Sequence, residues 1–101
     1  MVYVTASSKV EAEKIARVLL EERLIACVNV LGPVSSFFHW EGKIDSAKEC
    51  LMIMKTEARL FADLEVRVRA LHSYEVPEIL AVPVVAGSAG YFDWMNTVLN
   101  H

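Results

Sequence analysis

The chain has 101 residues, with 10 lysines and arginines against 13 aspartates and glutamates, a formal charge of −3; this suits one domain, residues 1–101, and gives no electrostatic case for nucleic acid or an anionic membrane. Its apolar share of 54%, tyrosine included, exceeds a typical share of about 45–50%, and a body this small has much surface for its volume, so the surplus predicts a subunit interface. The apolar runs fall well short of the roughly 20 residues that span a bilayer, and no basic start leads into a signal-type core, so the chain is expected to be cytoplasmic, with no membrane partner.

Met1 to Thr5 is short, apolar and β-branched, as a buried strand should be, and Ser7-Ser8 ends it. Ser8 and Glu11 form a capping-box pattern, and Ala12, Ile15, Ala16, Leu19 and Leu20 follow helical spacing, which predicts a helix from about Lys9 to Glu22. Leu24 to Leu31 reads as a strand, Gly32-Pro33 as a turn, and Val34 to Trp40 as a further strand. Glu41-Gly42-Lys43 marks a bend or bulge before the strand Lys48 to Lys55, and residues 34–55 together suit one long hairpin.

Thr56 is a reasonable N-cap for a helix to Leu71, with Phe61, Leu64, Val68 and Leu71 at helical intervals. The Leu71-His72-Ser73-Tyr74-Glu75-Val76-Pro77-Glu78 stretch follows, gathering an imidazole, a phenol and carboxylates; Pro77 disfavours helical geometry at Val76, so this is a helix-to-strand connection. Ile79 to Val85 reads as a strand, Gly87 to Gly90 as a loop, and Tyr91, Trp94, Met95, Val98 and Leu99 as the stripe of a terminal helix. The order is that of an α+β, ferredoxin-like β-α-β-β-α-β sandwich with a closing C-terminal helix. Both main helices then share one sheet face, and the apolar strands predict that the other is covered by further subunits.

Leu24-Ile25-Ala26-Cys27-Val28-Asn29, Trp40-Glu41-Gly42-Lys43-Ile44, Lys55-Thr56 and His72-Ser73-Tyr74-Glu75-Val76-Pro77-Glu78, with Tyr91 and Trp94 at the end, stand in an order and at separations that resemble the CutA, or divalent-cation tolerance, family over nearly the whole chain. The resemblance implies a homotrimer of ferredoxin-like subunits, with the long hairpin reaching a neighbour and sites in clefts between subunits. It implies tolerance to copper and other divalent metals in bacteria and, in animals, association with membrane-anchored acetylcholinesterase. Copper-binding bacterial members carry a cysteine late in the first strand and paired histidines before the tyrosine motif, and the resemblance sets Val4, Leu71 and His72 at those positions.

His72 is therefore the leading metal-ligand candidate, for Cu(II) or another divalent cation, with Glu75 or a neighbouring subunit completing the site. The competing reading has His72 capping the helix or bonding a carboxylate. Tyr74, Lys55, Trp40 and Tyr91 are candidates for lining a ligand cleft: Lys55 ends an apolar strand where its ammonium can meet an anion, and Trp40 offers a stacking surface or an interface contact. His39 is expected at the surface or an interface, His101 to be mobile, Asn29 to be satisfied by backbone groups, and Cys27 and Cys50 to be buried, reduced thiols. No nucleophile with an adjacent base stands out and no glycine-rich phosphate loop is present, so no enzyme activity and no required cofactor are expected. Three functions remain open: a metal-binding trimer, a small-ligand or signalling module like the trimeric PII-type nitrogen-signalling proteins, and a structural or anchoring trimer.

Overall fold

The computed structural model describes residues 1–100; His101 lies outside them, and with it the expectation for its side chain. In chain order the elements are β1 (Val2–Ala6), α1 (Lys9–Glu21), β2 (Cys27–Trp40), β3 (Lys43–Lys55), a 3-10 turn (Ala58–Leu60), α2 (Phe61–Leu71), β4 (Ile79–Ala81) and α3 (Ala89–Leu99). The four strands form one antiparallel sheet in the order β2-β3-β1-β4.

Alternation along the central strands sorts the side chains. Val2, Val4 and Ala6 of β1 and Met52 and Met54 of β3 point to one face, where they pack with Ala12, Ile15 and Leu19 of α1 and Leu64 and Val68 of α2 into one buried core. The residues between them, Tyr3, Leu51 and Ile53, lie on the opposite face and stay half-buried, while Leu31 and Leu80 beside them are 44% and 59% exposed. A second, smaller cluster joins α3 to the body through Leu60, Met95 and Leu99, against Ala26 and Val98.

Helix ends follow local chemistry. Ser8 caps α1 by accepting from the Glu11 N–H (3.1 Å), but Glu11 reaches back to the Ser7 amide rather than to Ser8, so the expected capping box is shifted by one residue. At the other end Arg23 takes φ 56, its N–H bonds the Leu20 carbonyl and the Leu24 N–H bonds the Leu19 carbonyl, a paired closure usually given to glycine. Arg23 Nη1 also donates to the Val98 carbonyl (2.9 Å), and Arg59 Nη2 to that of Leu99 (2.8 Å), so two arginines from the body hold the C-terminal carbonyls of α3.

Five expectations are corrected, the bounds of the hairpin among them. Gly32-Pro33 is no turn but a bulge inside a continuous β2, where the register shifts between Leu31 and Val34. Pro33 cannot donate to a ladder, so the bulge accommodates it, and a Cβ on Gly32 would come within 2.7 Å of Cys50 Sγ. The hairpin therefore runs from Cys27 to Lys55, with Leu24 and Ile25 in the core ahead of it, and it closes on Glu41 (φ 51) and Gly42 (φ 77), a type I′ pair. Thr56 is not an N-cap: its hydroxyl donates to the Leu24 carbonyl (2.7 Å), and the chain enters α2 through the 3-10 turn. The last strand stops at Ala81 instead of Val85, because after the Val82 N–H bonds the Met1 carbonyl (2.8 Å), Pro83 has no donor to continue. Finally, Gly90 is helical, since Ser88 caps α3 by accepting from Tyr91 N–H.

The left-handed conformation of Glu41 favours Asn, Asp or Gly over Glu. Glu41→Asn is expected to stabilise the protein by about 0.5–1 kcal/mol, read as a higher urea midpoint at fixed protein concentration.

Candidate functional site

α2 ends at Leu71, and at His72, its C-cap, the chain turns extended (φ −80, ψ 144) while the His72 N–H still bonds the Val68 carbonyl. His72 is 9% exposed. Its Nε2 lies 2.7 Å from the Thr5 carbonyl of β1, and its Nδ1 accepts the Tyr74 N–H at 3.0 Å. A carbonyl can only accept and an amide N–H can only donate, so these partners assign the neutral ring with its proton on Nε2. The Tyr74 ring sits 4.7 Å from it, centroid to centroid, and the Tyr74 hydroxyl donates to Glu49 Oε2 at 2.7 Å. Burial and the bond to anionic Glu49, with the charges of Glu49 and Glu11, push this phenol up to about 12.

The same connection is tied to the start of α1. Glu11 Oε2 accepts the Ser73 N–H (2.8 Å), and Oε1 accepts both the N–H and the hydroxyl of Ser7 (2.9 Å each). Burial is the largest single influence on this carboxyl and raises it, but the bonds from Ser73 and Ser7 together prevail and bring it from 4.5 down to about 2. Glu11 and Glu49 are thus the charges that organise the connection. Glu11 had shown itself in the sequence only as a capping residue. Glu49, 8% exposed, had left one overlooked signal, a carboxylate directly before the apolar Cys50-Leu51-Met52 run.

Of the residues expected at the site, His72 and Tyr74 come together, Glu75 is exposed beside them, and Lys55 and Tyr91 meet elsewhere, in an 810 Å3 cleft between the end of β3, the start of α2 and α3. Lys55 Nζ donates to Asn29 Oδ1, so Asn29 is satisfied by a lysine and not by backbone groups. Cys27, opposite Lys55 in the β2–β3 register, is half-buried rather than buried; burial and a hydrogen bond with this thiol raise the Tyr91 hydroxyl above its ordinary range. Trp40, 59% exposed, sits at the far end of the same hairpin, about 40 Å away at roughly 3.3 Å per residue. His39 is exposed next to it, and Cys50 is buried.

Residues 1–98 match the family model described as CutA1 divalent ion tolerance protein. The chain belongs to the CutA family. It is 48% identical over 95 residues to the divalent-cation tolerance protein CutA of Archaeoglobus fulgidus, covering 94% of this chain and 92% of that one, and 42% identical over 96 residues to its Thermus thermophilus counterpart, covering 95% and 93%. The solved structure of the Archaeoglobus fulgidus protein, described as a periplasmic divalent cation tolerance protein, superposes with a TM-score of 0.95 at 46% identity, over 98% of this chain and 96% of that one. CutA1 of Pyrococcus horikoshii gives 0.93 at 37% identity, over 99% and 97%.

Membership sharpens the reading of the connection. Two of the three positions that the resemblance associates with copper are apolar here and serve the core: Val4 is fully buried within it and Leu71 packs against that cluster. Both nitrogens of the third, His72, face backbone groups, so a cation would have to displace the Tyr74 N–H to reach Nδ1. Among the described residues no three His, Cys, Asp or Glu side chains converge on one point.

The lowered carboxyl of Glu11 stabilises the fold above the pKa of the unfolded chain, and that contribution is lost as pH falls from about 4.5 toward about 2. Glu11→Gln is expected to cost about 1–2 kcal/mol at neutral pH, as a charged acceptor is replaced by a neutral one. Its acid unfolding curve should be flatter than that of the unaltered protein across that window; parallel curves would remove Glu11 from this role.

Proposed function

We propose that the chain works in divalent-cation tolerance as a non-enzymatic homotrimer that takes a divalent cation, Cu(II) first among them, in a cleft between subunits. One observation carries the assembly: the sheet face turned away from α1 and α2 is apolar, and the hairpin adds Phe37, Trp40 and Ile44 at 74%, 59% and 76% exposure. So much apolar surface suits contact with other copies. The cation part of the reading rests on His72. Nδ1 is the ring nitrogen available for ligation once the Tyr74 amide is released, Glu75 is exposed two residues beyond Ser73, and a neighbouring copy supplies the remaining donors. We read the protein as a binding protein because the polar groups of the connection serve its own backbone, and as cytoplasmic because Cys27 and Cys50 are both unpaired, which suits a reducing compartment. No described helix is long and apolar enough to cross a membrane.

Light scattering is expected to give the mass of three 11.3 kDa chains. Calorimetric titration with Cu(II) is expected to saturate at a stoichiometry tied to subunits, to shift the Tyr74 amide resonance, and to disappear in His72→Ala. An unchanged titration in that variant, or a Tyr74 amide indifferent to the metal, would sink the cation reading, and a monomeric mass would sink the assembly.

A further inference from the structure

The 810 Å3 cleft at Lys55 falls within the range of about 300–1,000 Å3 typical of small-molecule sites. Most of its wall is apolar, formed by Phe61 on α2, Val82, Pro83 and Val84 after β4, and Phe92 and Met95 on α3. A mainly hydrophobic wall with a few placed polar groups is the composition of a site that takes an organic molecule rather than a bare ion.

Of the charged side chains that line it, the one left without an ion pair is positive. Lys55 brings an ammonium to the cleft, where it donates to the neutral amide oxygen of Asn29; among the described residues it makes no ion pair. Glu57 also lines the cleft, but its carboxylate is held by Arg59 at 2.8 Å. Ser88, the N-cap of α3, lies on the wall as well, so the positive end of an eleven-residue helix dipole faces the same space. Tyr91 adds a ring and a hydroxyl, with Trp94 packed 5.5 Å from it. The ammonium of a half-buried lysine that no carboxylate pairs favours an anionic ligand, and apolar walls favour one whose body is hydrophobic. The Lys55 ammonium lacks the fork of an arginine, which suits one carboxylate better than a phosphate clamp.

We propose that this cleft binds a small monocarboxylic acid with an aromatic or branched apolar body, its carboxylate on Lys55 and its body between Phe92 and the segment 82–84. The site is separate from the His72 connection and does not depend on a metal there.

The test uses the purified full chain in its natural assembly, with phenylacetate and indole-3-acetate as probes and phenylacetamide as the neutral match, followed by calorimetry. Saturable binding of at least one acid is expected at one per chain with Kd below about 1 mM, at least tenfold tighter than the amide. Lys55→Met, which keeps an apolar stem, should weaken the acids at least tenfold, Lys55→Arg should retain part of the affinity, and His72→Ala should leave it unchanged. Absence of saturable binding overturns the proposal, as happens if a segment of a second copy fills the cleft. Equal affinity for acid and amide also overturns it, and that comparison needs only the unaltered chain should Lys55→Met fail to fold. Light scattering and circular dichroism establish whether the variants keep their assembly and fold.

Discussion

The antiparallel pairing of β1 with β3, Val2 opposite Met54 through Ala6 opposite Cys50, is the constraint on which the rest of the molecule depends. A side-chain period of two lets this register decide every facing at once: a slip by one residue would send Val2, Val4, Met52 and Met54 to the open face and Tyr3, Leu51 and Ile53 under the helices. It also fixes where the chemistry falls. Cys27 and Lys55 are opposite one another because β2 continues the same alternation on β3, and His72 finds the Thr5 carbonyl because β1 ends where α2 does. The organisation around both candidate sites is therefore a consequence of packing in the centre of the sheet.

The parts of this fold that could be read in the sequence are those governed by repetition. α1 and α2 announce themselves by stripes at Ile15, Leu19, Leu64 and Val68, and β1 and the second half of β3 by their apolar content, because burial against a common core demands those patterns. Single residues misled where two local rules competed. Pro33 after Gly32 has the chemistry of a turn, yet strong apolar pairing on either side carries the strand through and converts the pair into a bulge. Thr56 has the chemistry of a cap, yet the orphan carbonyl of Leu24 lay nearer. In each case a tertiary partner decided, and no spacing along the chain reveals such a partner.

The candidate sites show the same division. That His72 and Tyr74 belong together follows from their positions two apart at a helix end. That the imidazole is spent on Thr5 and on the Tyr74 backbone, and that Glu11 and Glu49 anchor the connection, depends on β1, α1 and β3 bringing partners from 67, 62 and 25 residues away. Lys55 and Tyr91 converge for a reason equally invisible in the sequence, the docking of α3 on Leu60 and Ala26. Trp40 shares their chemistry in the sequence but stands at the opposite end of the hairpin.

The attachment of α3 has an evolutionary consequence. Arg23 and Arg59 hold it through the carbonyl oxygens of Val98 and Leu99, groups that every amino acid possesses. Drift in side-chain identity at the end of this helix leaves those acceptors in place as long as the stretch remains helical. Deletion of a residue rotates and withdraws them by about 100° and 1.5 Å, out of step with two guanidinium groups fixed elsewhere in the body. Descendants of this chain should thus vary more freely in the composition of the last turn than in its length, with the two arginines acting as a ruler for the helix that lines the Lys55 cleft.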